Sequence, residues 1–264
     1  MNPRTPEFPS KTPNMGTTIF TVMSALATEK GAVNLGQGFP DFPMSEELID
    51  LVSKAMHDQF NQYAPMAGVP VFRQSLAAKT SSFYDIPVDA DSEVTIVSGA
   101  TEALFAAVHC CVSPGDEVIM FDPSYDAYDP IVRLAGGVPI HLTLKAENGF
   151  RIDFEELART ITPKTKAIFI SHITSATALI FPVKEICAIA KQKGLITFVD
   201  GAHGPAQTEV DLATLQADFY TGACHKWMMA PKGCSFLYAH KSVQPICDPL
   251  VVSWGYKALK PSHS

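Results

Sequence analysis

A lysine stands between a histidine and a tryptophan in Thr221-Gly222-Ala223-Cys224-His225-Lys226-Trp227, directly after the apolar run Phe219–Thr221. Most lysines are solvated surface charges. A lysine held in a cleft can instead lose its proton and form a Schiff base with a carbonyl group. Upstream, Val199-Asp200-Gly201-Ala202-His203 ends another apolar run in a carboxylate. Such a carboxylate is costly unless a cation faces it, and a protonated ring nitrogen or a magnesium ion would each serve. In Val97-Ser98-Gly99-Ala100-Thr101-Glu102 a strand-like run meets a helix-like run at a glycine. The first N–H groups of a helix have no partner within it and favour an anion, so this turn suits a phosphate, with Ser98 and Thr101 as extra donors. An ordinary strand-to-helix turn capped by Thr101 is the competing reading. Asp122-Pro123-Ser124-Tyr125 follows a further strand-like run, and Tyr125 is either a stacking platform for an aromatic ligand or a core ring with a surface hydroxyl. A phosphate cradle, a stacking ring, a carboxylate and an amine are together the parts that a pyridoxal 5'-phosphate site needs.

Something must bring these four segments to one place. Seven short apolar or β-branched runs read as strands: Val94–Val97, Glu117–Phe121, Val138–Leu142, Ala167–Ser171, Ile196–Val199, Phe219–Thr221 and Ser235–Tyr238. Amphipathic stretches at Glu102–Cys111, Tyr128–Ala135, Phe154–Thr160 and Val183–Lys193 separate several of them and read as helices. The alternation predicts an α/β fold with three layers, α/β/α, around a mostly parallel seven-stranded sheet. Ligands in such sheets bind beyond the carboxyl ends of the strands, where the four segments fall. Further upstream, helices are predicted over Thr17–Lys30, Glu46–Gln59 and about Val71–Phe83. The expected organisation is an arm, helix and substrate loop over 1–45, a cofactor-binding large domain over 46–256, and a tail over 257–264.

Of the 264 residues 47% are hydrophobic and 18% charged, enough apolar material for a large core. The net charge of -7 and the lack of a basic run argue against a nucleic-acid surface. No apolar run approaches the length needed to span a bilayer, and the N-terminus has no secretory apolar stretch, so a cytoplasmic protein is expected. The six cysteines form no CxxC pair, which points to buried free thiols and no metal site.

Residues from about Thr17 to Thr162 resemble class I aminotransferases of the kynurenine and methionine branch. The resemblance rests on Asn34-Leu35-Gly36-Gln37-Gly38-Phe39-Pro40-Asp41-Phe42, Asn61-Gln62-Tyr63-Ala64-Pro65, Ser98-Gly99-Ala100-Thr101-Glu102 and Asp122-Pro123-Ser124-Tyr125. It implies that Gly99, Ala100 and Thr101 hold the cofactor phosphate, that Tyr125 stacks on its ring and that Gly38 lies beside the substrate carboxylate. It also implies that Tyr63 reaches the phosphate of a neighbouring subunit, making the active form a homodimer.

From about Ile168 onward the chain is similar to class V enzymes such as isopenicillin N epimerase. Here the carriers are Ser171-His172-Ile173-Thr174-Ser175, Val199-Asp200-Gly201-Ala202-His203 and Cys224-His225-Lys226-Trp227 with Ala230-Pro231-Lys232-Gly233. That similarity implies Lys226 as the Schiff-base lysine and Asp200 as the partner of the ring nitrogen. It implies His203 against the ring or its phenolic oxygen, Ser175 near the ring oxygen, and Thr221 and His225 near the phosphate. Two resemblances that change over near Thr162–Ile170 suggest a hybrid on one shared fold, natural or engineered. Such relatives carry a C-terminal small domain, which is expected to be absent here.

The activity that these resemblances imply is transfer of an amino group from a hydrophobic, aromatic or sulfur-containing amino acid to a 2-oxo acid. Two alternatives stay open: an epimerase or β-lyase/desulfurase, and a cofactor-binding domain with little turnover.

Overall fold

The computed structural model describes residues 11, 16–36, 42–84 and 87–250. The chain divides into two compact units, Met1–Met66 and Ala67–Ser264. In the first, helix α1 spans Ile19–Lys30 and helix α2 spans Glu46–His57. Thr18 caps α1, its side chain accepting from the Thr21 N–H, and Gly31 ends it in the left-handed conformation that glycine adopts without steric cost. Residue 46, read from the sequence as a domain start, is the first residue of α2.

The second unit is built on a seven-stranded sheet in the order β1-β7-β6-β5-β4-β2-β3. The strands are β1 Val94–Val97, β2 Glu117–Asp122, β3 Val138–Thr143, β4 Thr165–Ser171, β5 Ile196–Asp200, β6 Phe219–Ala223 and β7 Ser235–Ala239. Strands β3, β2, β4, β5 and β6 pair in parallel, and β7 runs antiparallel between β6 and β1. All seven predicted strands form, and the sheet is mostly parallel as expected.

Side chains along a strand alternate between faces, and the core divides accordingly. On β4, Ala167 and Phe169 join one buried cluster while Ile168 and Ile170 join the other. Helices α4 (Ala100–Cys111) and α5 (Tyr128–Leu134) cover the first face with Leu104, Val108, Ile131 and Val132. Helices α3 (Pro70–Tyr84), α6 (Phe154–Thr160), α7 (Val183–Lys193) and α8 (Leu212–Leu215) cover the second, through Leu76, Leu157, Ile186 and Leu212. This is the three-layer α/β/α architecture. No helix among the described residues is long and apolar enough to cross a membrane.

Three local differences from the sequence reading bear on function. Helix α4 starts at Ala100 rather than Glu102, so Gly99 is its N-cap. Strands β5 and β6 extend to Asp200 and Ala223, so the two chemical segments sit on the last rung of the sheet. The short helix α8 was unforeseen, because four residues carry too little periodicity to stand out. The cysteines are free thiols, but only Cys111, Cys187 and Cys224 are buried, whereas Cys110, Cys234 and Cys247 are partly exposed.

Candidate active site

Parallel pairing puts the carboxyl ends of β1, β2, β4, β5 and β6 along one edge, as sheets of this type require. Gly99 follows β1, Tyr125 follows β2, Ser175 follows β4, Asp200 ends β5 and Lys226 follows β6.

Asp200 is buried, at 8% exposure. Its Oδ2 accepts from the Tyr128 hydroxyl at 2.6 Å. Its Oδ1 accepts from the Ala202 N–H at 2.8 Å and from the Thr221 hydroxyl at 3.4 Å. These donors set the plane of the carboxylate on the α4 and α5 side of the sheet. Thr221 is completely buried and reaches the aspartate, rather than the anion pocket expected from the sequence. The reason is its parity on β6, which puts its side chain on the same face of the sheet as Asp200, one strand away.

Tyr128 escaped the sequence reading as a site residue. It is fully buried, stacks on Phe169 at 3.9 Å and exchanges a hydrogen bond with Ser171 at 2.7 Å. Burial, the nearby Asp200 charge and the bond to Asp200 push its hydroxyl well above the ordinary tyrosine range, so it stays a donor. Its one sequence signal was a position three residues after Tyr125. The two rings meet edge to face at 5.9 Å, with Tyr125 the more exposed.

The chain turns sharply after β5. A Cβ on Gly201 would lie 2.1 Å from the Tyr220 ring and 2.4 Å from the Thr221 carbonyl oxygen. Only glycine fits so close to β6, and the turn delivers His203 to the lysine. The Trp227 indole N–H lies 3.2 Å from Nδ1 of His203, and Nε2 of the same ring lies 2.8 Å from Nζ of Lys226. Indole N–H is a donor only, so Nδ1 must present its lone pair. A neutral imidazole then carries its proton on Nε2 and donates it to the lysine nitrogen. That arrangement requires Lys226 to be an uncharged amine.

The surroundings act in the same direction. Lys226 is exposed as a residue, yet its amine is desolvated by the protein atoms around it. Desolvation lowers its pKa, and the Asp200 charge only partly opposes this. Desolvation, then Lys226, lower that of His203.

At the head of α4 no side chain caps the first turn, and the position of a Cβ on Gly99 faces open space. The N–H groups of Ala100 and Thr101 head a twelve-residue helix there. Ser98, expected as a donor to this pocket, instead gives its N–H and hydroxyl to Glu102 at 2.7 and 2.6 Å. Those bonds hold the Glu102 carboxyl below its usual range. His225 is turned towards β7, with Nδ1 3.3 Å from the Cys234 carbonyl oxygen. Ser175 lies exposed in a turn closed by Thr174 and Thr177, whose hydroxyls are 2.6 Å apart. Tyr63 belongs to the first unit and is fully exposed. Gly38 lies outside the described residues.

The sequence model for Aminotransferase class I and II matches residues 30–218. The match runs through Thr162–Ile170, where the two resemblances change over, and ends before Lys226. The methionine aminotransferase of Escherichia coli is 42% identical over 188 residues, 71% of this chain and 48% of that protein. The isopenicillin N epimerase of Amycolatopsis lactamdurans is 32% identical over 169 residues, 62% of this chain and 42% of that protein. A solved structure of YbdL from Escherichia coli, described as having a methionine aminotransferase function, has a TM-score of 0.79 at 32% identity. It covers 92% of this chain and 66% of that one. The chain thus spans about half the length of the curated relatives it matches. A match over most of the sequence, joined to the same fold, leads to one conclusion: the chain belongs to the family of class I and II aminotransferases.

Proposed function

We propose that this chain binds pyridoxal 5'-phosphate through Lys226 and, in its active form, transfers an amino group from an amino acid to a 2-oxo acid. The observation that carries this reading is the Trp227–His203–Lys226 chain, which presents an uncharged amine at the strand ends beside Asp200. The residues present fit the cofactor. The uncapped first turn of α4 at Gly99, Ala100 and Thr101 offers backbone N–H groups to a phosphate. Asp200, oriented by Tyr128 and Ala202, offers a fixed carboxylate to a ring nitrogen, and Tyr125 and His203 are assigned to the ring itself.

When bound, the cofactor supplies an electron sink that weakens the bond from the amino acid's α-carbon to its proton. Lys226 is the group that takes this proton and returns it, since desolvation lowers its pKa and makes the free amine more available as a base. His203 holds the lysine nitrogen in place between these steps. Ser175 and His225 are assigned outer positions around the ring oxygen and the phosphate. Tyr63 is assigned to the phosphate of a second subunit in a homodimer, and Gly38 to the substrate carboxylate. Residues 46–256 act as the cofactor-binding domain, and hydrophobic, aromatic or sulfur-containing amino acids are the proposed donors. Epimerisation or β-elimination is the second reading, favoured by the isopenicillin N epimerase relative and by a family match that stops before Lys226.

The test is an absorbance titration with pyridoxal phosphate, followed by borohydride reduction and peptide mapping, in the parent and in Lys226→Ala. A visible band that borohydride fixes on Lys226 supports the reading. No band in folded parent protein overturns it. With methionine and a 2-oxo acid acceptor, a new keto acid supports amino transfer. Racemised substrate, or ammonia without any need for acceptor, supports the second reading.

A further inference from the structure

We propose that Cys224 and Cys234 form a redox-active thiol pair, which a hydroperoxide closes into a disulfide that staples the loop carrying Lys226. Strands β6 and β7 pair through Ala223 and Ser235 as their last rung, and the register continues outward to Cys224 and Cys234. The Cys224 N–H donates to the Cys234 carbonyl at 3.0 Å. Directly opposed residues in an antiparallel pair have Cβ atoms about 4.5–5.5 Å apart and side chains on the same face. The Cys224 bond makes this a hydrogen-bonded pair, at the wider end of that range, and a disulfide needs about 3.5–4.5 Å, so the two strand ends must close by about 1 Å. Cys224 belongs to the core cluster on the α3 side of the sheet, and the partly buried Cys234 packs against that cluster. Asp200 and Thr221 face the opposite side, so the staple forms behind the candidate active site and blocks none of it.

The two thiols differ in the way a peroxide-sensing pair requires. Cys224 is 2% exposed, whereas Cys234 reaches the surface. A hydrogen bond from Cys224 to the Cys234 sulfur lowers the latter's pKa to about 7 and raises that of Cys224. The more accessible sulfur is therefore also the better nucleophile at neutral pH. The other thiols are occupied or shielded. Cys110 and Cys247 donate to the Asp248 and Val243 carbonyls, Cys111 is buried, and burial pushes Cys187 up to about 12.

The chemistry balances in two steps. The Cys234 thiolate attacks a peroxide oxygen, an S–O bond forms, the O–O bond breaks, and the leaving alkoxide or hydroxide takes a proton. Cys224 then attacks the sulfenic sulfur, the S–S bond forms, and the S–O bond breaks with loss of water. Two electrons pass from the sulfurs to the peroxide, and an external dithiol reverses the reaction. The bridge spans residues 225–233. It pulls on two contacts that shape this loop, Ala230 N–H to the Cys224 carbonyl at 3.0 Å and His225 to the Cys234 carbonyl. The oxidised loop is expected to hold Lys226 away from its contact with His203.

The full chain is treated with a few equivalents of hydrogen peroxide, remaining thiols are alkylated, and peptides are mapped without reduction. The expected product links Cys224 to Cys234, and dithiothreitol removes the link. Borohydride trapping of pyridoxal phosphate on Lys226 is expected to fall several-fold in the oxidised chain and to recover on reduction. Cys234→Ser should abolish the response and leave Cys224 alkylated. Cys224→Ser should divert Cys234 to sulfenic and sulfinic acid. Since Cys224 is a core residue and its variant is prone to misfold, Cys234→Ser is the deciding variant. A parent chain whose Cys234 passes to sulfinic acid with Cys224 unlinked overturns the pair, as does a sole link between Cys110 and Cys247. A clean Cys224–Cys234 link that leaves trapping at Lys226 unchanged overturns the stapling effect.

Discussion

Trp227 donates its indole N–H to Nδ1 of His203 across 3.2 Å, and this one bond decides which ring nitrogen faces Lys226 with a proton. The aromatic residue beside the lysine thus acts on it through the histidine. Trp227→Phe keeps much of the ring surface and removes the donor. The pH midpoint for trapping pyridoxal phosphate on Lys226 is then expected to shift upward, towards an ordinary lysine, with a several-fold slower rate at neutral pH. Rate measurements across pH check this, and a profile identical to the parent would sink the assignment of the tautomer.

Lys226 binds its proton less readily in the fold than in the unfolded chain, because burial disfavours its charge. The unfolded state therefore holds the extra proton between the lowered value and about 10.4, and raising pH through that window stabilises the fold. Lys226→Met removes this linkage. The variant is expected to have a higher Tm than the parent near pH 7, with the gap closing as pH approaches about 10.4. Calorimetry at several pH values decides, and a gap independent of pH would contradict a depressed lysine.

Tyr128 is the buried donor that orients Asp200. Tyr128→Phe retains the stack on Phe169 but leaves Asp200 Oδ2 and the Ser171 hydroxyl each short of a partner. Urea unfolding should show a loss of about 1–3 kcal/mol. Affinity for pyridoxal phosphate should fall too, as the carboxylate loses its fixed plane. Unchanged stability and affinity would mean that Ala202 and Thr221 suffice to hold Asp200.

Gly201 meets the Tyr220 ring and the Thr221 carbonyl where a Cβ would stand. One of the two obstacles is backbone, so rotamer changes alone cannot relieve Gly201→Ala. The substitution should cost about 1–3 kcal/mol or more. It should also weaken trapping at Lys226, since the turn that delivers His203 must shift. A variant as stable and as reactive as the parent would refute the close packing of β5 on β6.

Local pattern alone made the strands and most helices legible. Val183–Lys193 and Phe154–Thr160 formed over the residues that their amphipathic spacing marks, and in the structure Asp153 caps the start of one and Gly194 ends the other. Lys226 and Asp200 were legible because each follows an apolar run that has to be a strand, and a strand end in a parallel sheet is where ligands bind. The two-residue error at α4 fell on Ala100 and Thr101, which add nothing to the apolar stripe that marks the helix.

Other relationships had no local signature. Tyr128 lies 72 positions from Asp200 and Trp227 lies 24 from His203, and only strand order brings them within hydrogen-bond reach. Thr221 was expected near a phosphate, but its parity on β6 turned it to Asp200. Cys224 and Cys234 became opposed only through the register of β6 on β7. The sequence by itself determined the elements, the sheet type and the edge at which chemistry gathers, since these follow from periodicities of two and 3.6 residues within short windows. The tertiary structure decided the partners, since pairing register and side-chain parity arise from contacts between distant segments.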